Sequence, residues 1–250
     1  MTDLPASTRL AWWGTAWLRG QVVTDLMLDA VIGEDATHTV ARLAELGLGG
    51  EADTADTLLA GLARLRAEGA TGLGAAYPVE GDLCGLGGPV GFNAAALDAG
   101  EAVVVVGADL GLVPGRVGAV VTWQAFAAAR RQLPDVGEAD RTLRRALTAT
   151  ADTLASLQVA RWRPEVADRL MDLRRRPLVT GPDGVPPRCV ELVAAGLQAL
   201  EIVEVALQDD GGAITAHEVE ARRLALVPLA RAGRHALVAA SSPEVWPPSG

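Results

Sequence analysis

The sequence predicts an α+β fold, predominantly helical, with a small antiparallel sheet between an N-terminal helical part and a C-terminal helical bundle. Three observations point there. Half of the 250 residues are apolar but only 4% are aromatic, so the core must be built from Ala, Leu and Val, which suits close helix packing. Apolar residues recur at helical spacing on both sides of the chain's middle. The middle itself, residues 71–130, concentrates β-branched runs, with four consecutive valines at 103–106.

In chain order, Ser7 or Thr8 is placed to cap a first helix reaching about Ile32. Gly14 and Gly20 each weaken it by about 1 kcal/mol relative to Ala unless a neighbour packs against them. Asp35 is placed to cap a second helix, ATHTVARLAEL, stopped by Gly47. Asp53 starts a third, which ends at Gly69. LGAAYPV reads as a short strand. The glycine-rich stretch EGDLCGLGGPVGFNAAALDAG follows, with a short helix near NAAALDA. EAVVVVG is a buried strand and RVGAVVTWQAF a second β-branched run. ADLGLVPG between them carries Pro-Gly turn chemistry and is too short for a helical crossover, so the sheet is expected to be antiparallel.

Helices then return. EADRTLRRALTATADTLASL carries Leu143, Leu147, Thr150, Leu154 and Leu157 at helical spacing. Pro164 opens a further helix that ends in Arg174, Arg175 and Arg176, and VTGPDGVPPR is a loop. From about Arg188 to Gln208 the polar residues Glu191, Gln198, Glu201, Glu204 and Gln208 form one narrow stripe, which places this helix at the centre of the C-terminal bundle. Thr215 and Glu218 form a capping box for a last helix that Pro228 should kink or break. The tail SSPEVWPPSG reads as extended. The expected parts are residues 1–70, 71–130, 131–240 and a tail, 241–250, within one globular unit.

Composition excludes several chemistries. All 22 basic residues are Arg. Without Lys there is no P-loop lysine, no Schiff base to pyridoxal phosphate and no lysine general base. The net charge of −9 opposes a phosphate backbone over most of the surface. Residues 1–100 hold 5 Arg against 13 acids, whereas residues 130–176 hold 11 Arg against 7 acids. Cys84 and Cys189 make no paired motif and read as free thiols in a reducing cytoplasm. The most apolar stretch, Val190 to Leu207, carries three acids, so no membrane span is expected.

The glycine-rich stretch raises the question of phosphate binding. A Rossmann turn needs G-x-G-x-x-G between strand and helix, and a P-loop needs GK[ST]. Here Gly85, Gly87 and Gly88 are followed at once by Pro89, which lacks the N–H a phosphate nest uses. The favoured reading is an irregular loop passing close to the sheet; the alternative is a small-ligand loop using Asp82, Cys84 and Asn93. His38, His217 and His235 show no metal-ligand spacing, and no cofactor is expected. No nucleophilic Ser stands out. Trp12, Trp13 and Trp17 serve either to dock the first helix or to anchor a partner. Arg141, Arg144 and Arg145, opposite the leucine stripe, form either a solvated face or an anion-binding one.

The leading expectation is a non-catalytic cytoplasmic interaction or regulatory protein, with a protein partner and a homodimer whose contact includes the first helix or the C-terminal bundle. The second is a small-ligand-binding protein or cofactor-independent enzyme with a pocket at the glycine-rich loop. The third is nucleic-acid binding through the Arg face, disfavoured because no aromatic interleaving accompanies it.

Overall fold

The computed structural model describes residues 4–49, 54–156, 178–207 and 216–247. Among them are seven α-helices, α1 (Ala6–Leu18), α2 (Thr24–Ile32), α3 (Leu58–Ala67), α4 (Val90–Ala99), α5 (Val136–Ser156), α6 (Pro187–Leu207) and α7 (Ala216–Ala240). Six strands form one sheet: β1 (Thr37–Ala41), β2 (Asp56–Thr57), β3 (Gly72–Ala76), β4 (Ala102–Val106), β5 (Leu110–Val117) and β6 (Val120–Ala127). Their spatial order is β2-β1-β6-β5-β4-β3. The expected α+β class stands, but the sheet is mixed and larger than expected. β1 runs parallel to β6, with Thr37 opposite Val120, while the other neighbours are antiparallel.

Several elements differ from the sequence expectation. The first helix is two, because Gly20 at φ +71° turns the chain after α1. Neither Ser7 nor Thr8 caps α1; the preceding residue is Pro5. The Ser7 amide donates instead to the Glu101 carboxylate at 2.9 Å, and the Thr8 hydroxyl meets the Tyr77 hydroxyl at 2.6 Å. The segment after Asp35 is a strand, with His38 and Val40 buried on alternate positions. Its Thr and Val residues are weak helix formers, and pairing with β6, more than 80 residues away, makes them a strand. ADLGLVPG is not a connector: its last six residues, Leu110 to Gly115, lie in β5, and the hairpin turns at Gly118 and Ala119, between the paired Val117 and Val120. Pro114 sits beyond the part of β5 that pairs with β4, where a missing N–H breaks no bond to that strand.

Thr57 caps α3, its Oγ1 accepting from Ala60 N at 3.2 Å, and Asp135 caps α5 by accepting from Glu138 N at 3.0 Å. Helix α7 runs through Pro228 without a break between Ala216 and Ala240. The expected start at Asp53, the helix after Pro164 with its terminal arginines and the Thr215 cap fall outside the described residues.

The sheet separates two apolar layers. Val103, Val105, Leu110 and Leu112 join the main core, which is continuous with α1, α3 and the C-terminal helices. Val104 and Val113 point the other way, onto Phe92 and Ala96 of α4, as strand alternation requires. Helix α7 packs along both α5 and α6 and touches β3. On α6 the stripe of Glu191, Gln198, Glu201 and Glu204 is the less buried side, while Leu192, Val193, Ala199 and Val203 are buried. Leu192→Ala should therefore cost about 2–5 kcal/mol through cavity formation in a urea melt, and Leu197→Ala, at a half-buried position, distinctly less. Equal costs would place α6 differently.

The outer edge of β3 is closed by side chains and by the tail. Thr15 Oγ1 donates to Leu73 O at 3.1 Å and accepts from Leu73 N at 2.8 Å. Ala75 N donates to Ser241 O at 3.0 Å. Arg131 donates to Gly74 O and Ala75 O. A Cβ at Gly74 would collide with the Arg131 guanidinium, so the small residues of GLGAA are what admit it. The tail is docked, with Ser241 and Ser242 buried and a short turn of 3-10 helix at Pro243–Val245. The indoles of Trp12 and Trp246 both donate to Ala240 O, at 3.1 and 2.9 Å, satisfying a carbonyl at the end of α7 that the helix leaves unpaired.

Candidate functional site

The glycine-rich loop crosses close to other backbone. A Cβ on Gly87 would meet the carbonyl oxygens of Ala129 and Arg130, and one on Gly85 would meet Ala76. Asn93, in the first turn of α4, accepts from Gly88 N through Oδ1 at 3.1 Å. It holds the loop onto the helix. Cys84 is buried, and burial with the nearby Asp82 charge pushes its thiol up to about 12.

Asp82 reaches out of this loop to α7. Its carboxylate accepts from Arg234 Nη2 at 3.2 Å and from His235 Nε2 at 3.1 Å, with Arg231 Nε at 3.7 Å. Positions 231, 234 and 235 are three and four apart, hence on one helix face. Burial alone would raise the Asp82 carboxyl. The His235 hydrogen bond and the arginines outweigh it and hold the group below the ordinary carboxylate range. One carboxylate thus answers two guanidinium groups and an imidazole.

His235 and Arg231 also face a cavity of about 570 Å³ between α5 and α7. Ala139, Ala146 and Ala149 of α5 and Pro228 and Ala232 of α7 supply short apolar walls. Its polar side chains are Glu138, Thr142 and Arg145 from α5 with Arg231 and His235 from α7. Of the residues singled out in the sequence, the structure brings Asp82 and Arg145 to this junction, whereas Cys84 lies in the main core and Asn93 serves the loop. Arg231, Arg234 and His235 were not recognisable as a unit. The only hint was their common face on a helix, which many solvated faces share.

The tryptophans part ways. Trp12 is 0% exposed, and Trp17 is buried with its Nε1 donating to Thr24 Oγ1 at 3.1 Å and the Arg66 guanidinium 3.9 Å from its ring centre. Only Trp13 is half-buried, beside Arg9 in a second cavity. The three therefore form no exposed aromatic patch. On α5, Arg141, Arg144 and Arg145 are exposed. Arg144 pairs with Asp140 at 3.0 Å, and Arg145 donates to Arg141 O and Thr142 Oγ1.

A second polar centre lies at the N-terminal end of β1. Asp35 accepts a two-pronged contact from Arg116, with a further bond from Arg9 at 3.2 Å and one from His38 Nε2 at 3.0 Å. His38 Nδ1 accepts from Trp123 Nε1 at 3.2 Å, which fixes the proton on Nε2. The Arg116 hydrogen bonds hold the Asp35 carboxyl well below its ordinary range against the opposing effect of burial, and burial lowers His38. Both shifts lower the folded-state pKa. Their stabilisation is complete above the unfolded values and is lost as pH falls through the folded ones. Stability should therefore start to decline below about pH 6.5 from His38 and fall further below about pH 3.9 from Asp35. In melts across this range the gap between Asp35→Asn and the parent should shrink as pH drops below about 3.9; a gap independent of pH would contradict the ionic reading.

No described helix is long and apolar enough to cross a membrane. Comparison with known proteins places the architecture in context. The Mycobacterium tuberculosis protein named "Uncharacterized protein Rv1486c" is 28% identical over 294 aligned residues, spanning 96% of this chain and 98% of that protein. The protein named "Uncharacterized protein MT1533", from a second strain of that organism, has the same identity and coverage. No solved structure matches the chain. The model of the Rv1486c-like protein N-terminal domain matches residues 7–139, and that of the C-terminal domain matches 137–238. The two meet in the first turn of α5, where the sheet ends and the cavity-forming helices begin. On these matches, the chain belongs to the Rv1486c-like protein family.

Proposed function

We propose that the protein is a non-catalytic regulatory or interaction protein of the cytoplasm, its C-terminal helices forming a bundle that carries the regulatory site. The observation that supports this reading is the state of its reactive groups. Cys84 and Cys189 are both buried, with thiols pushed up to about 12 by burial. His38 has both ring nitrogens engaged, and Asp82 is enclosed by cations. None of these is poised as a nucleophile or general base. A thiol assay tests the point. Ellman's reagent should modify both cysteines at least about ten times more slowly in the native protein than in denaturant, because only a thiolate reacts. A fast native thiol would move the protein towards the enzyme class.

The reading includes a homodimer. Helix α1 is almost wholly buried within the subunit, which leaves the C-terminal helices as the contact. Leu224 and Val227, one turn apart on α7, are 60% and 53% exposed, and a second copy would cover them. Sedimentation equilibrium should give a dimer mass that Leu224→Asp reduces to the monomer. A monomer mass at every micromolar concentration would sink the dimer. A second reading, small-ligand binding, is favoured by the cavity between α5 and α7 beside Asp82.

A further inference from the structure

We propose that the cavity between α5 and α7 binds a small organic anion, an acidic head on a compact apolar body, with Arg145 and Arg231 holding the head. The proposal rests on the small-ligand reading and gives it a ligand class. The volume of about 570 Å³ lies in the range of small-molecule sites. The hollow exists because α5 and α7 face one another with Ala and Pro side chains. Longer apolar residues at those positions would fill it.

The charge in the walls is unequal. The guanidinium groups of Arg145 and Arg231 face a single acid, Glu138. Arg145 has no carboxylate partner among the described residues; its hydrogen bonds go to a backbone carbonyl and a threonine hydroxyl. Arg231 approaches Asp82 through Nε at 3.7 Å, beyond hydrogen-bond range, and its side chain is 62% exposed. Asp82 is already shared with Arg234 and His235, so it neutralises Arg231 only in part. The guanidinium ends of Arg145 and Arg231, one from each helix, thus remain as fork-shaped donors suited to a carboxylate or a phosphate. The alanine walls take up the apolar body. His235, tied to Asp82, positions the α7 side of the cavity.

Isothermal titration with three probes tests this. Hexanoate and hexyl phosphate share a tail and differ in the anionic head; hexylammonium reverses the charge. At least one anion should bind saturably, its choice separating a carboxylate from a phosphate ligand. Hexylammonium should not bind. Arg145→Gln and Arg231→Gln should each weaken the anion about ten-fold, the scale of a lost charge-assisted contact. Both positions are exposed, so the melting temperature should stay the same. Ala149→Leu, at an exposed position on the cavity wall, should abolish binding by filling the space. Anion binding that persists in these three variants overturns the proposal. Hexylammonium binding that Ala149→Leu removes would leave a ligand cavity standing and overturn the anion assignment. Failure of all three probes overturns the anion assignment and the small-ligand reading together, leaving the dimer and the inert thiols to be judged on their own tests.

Discussion

Replacing Arg131 with Met is expected to destabilise the protein by about 3–5 kcal/mol, the scale of breaking a buried, fully hydrogen-bonded charge. The side chain is 2% exposed. Nη1 donates to Gly74 O, Ala75 O and Gly85 O at 3.1–3.3 Å, and Nη2 donates to Ser242 Oγ at 3.0 Å. Glu244 accepts from Nε and Nη2 at 3.0–3.1 Å. One residue therefore ties together the edge strand, the glycine-rich loop and the tail. Met fills similar length but leaves three backbone carbonyls and a hydroxyl without that donor, each a cost when buried. Glu244 is 27% exposed, so Glu244→Gln should cost only about 1 kcal/mol. Urea melts of the two variants decide the matter. Equal losses would mean that the ion pair, rather than the carbonyl set, carries the stabilisation.

The second large effect is expected at Trp12. Trp12→Ala should cost about 3–5 kcal/mol, as large-to-small changes of buried aromatics do. It removes a fully buried indole and one of the two donors on Ala240 O. Trp13→Ala, one position along on a half-buried site, should stay below about 1 kcal/mol. If Trp12→Ala melted like the parent while losing a binding partner, the tryptophans would be a recognition surface after all. The stability contrast between neighbours is what separates a helix docked through its aromatics from one that displays them.

Where the sequence reading succeeded, the local pattern carried the answer. Four consecutive valines could only be a strand buried on both faces. The long apolar helix with its stripe of Glu and Gln could only be largely enclosed. Where it failed, the deciding partner was distant. Thr37–Ala41 contains nothing that forbids a helix, and it becomes a strand because Val120–Gln124 lies alongside it. ADLGLVPG reads as a turn on the strength of Pro114 and Gly115, yet Leu110–Gly115 belong to β5, where neighbours in β6 restore the pairing. The site shows the same limit. Asp82 stood out as an acid in a glycine-rich loop, but Arg234 and His235 lie about 150 positions away. Helical spacing shows which residues share a face; it does not show what that face meets.

The closed edge of β3 also bears on how the chain is built during translation. The strand Gly72–Ala76 and helix α1 leave the ribosome long before Ser241 and Glu244, which finish that edge directly and through Arg131. Until they arrive, the edge offers unpaired backbone groups to any passing strand. The N-terminal half therefore cannot reach its final form as an independent unit and then wait for the rest. Synthesis must pass Glu244 before the sheet is sealed, and a nascent chain stalled before Ser241 would depend on chaperones to keep it from associating.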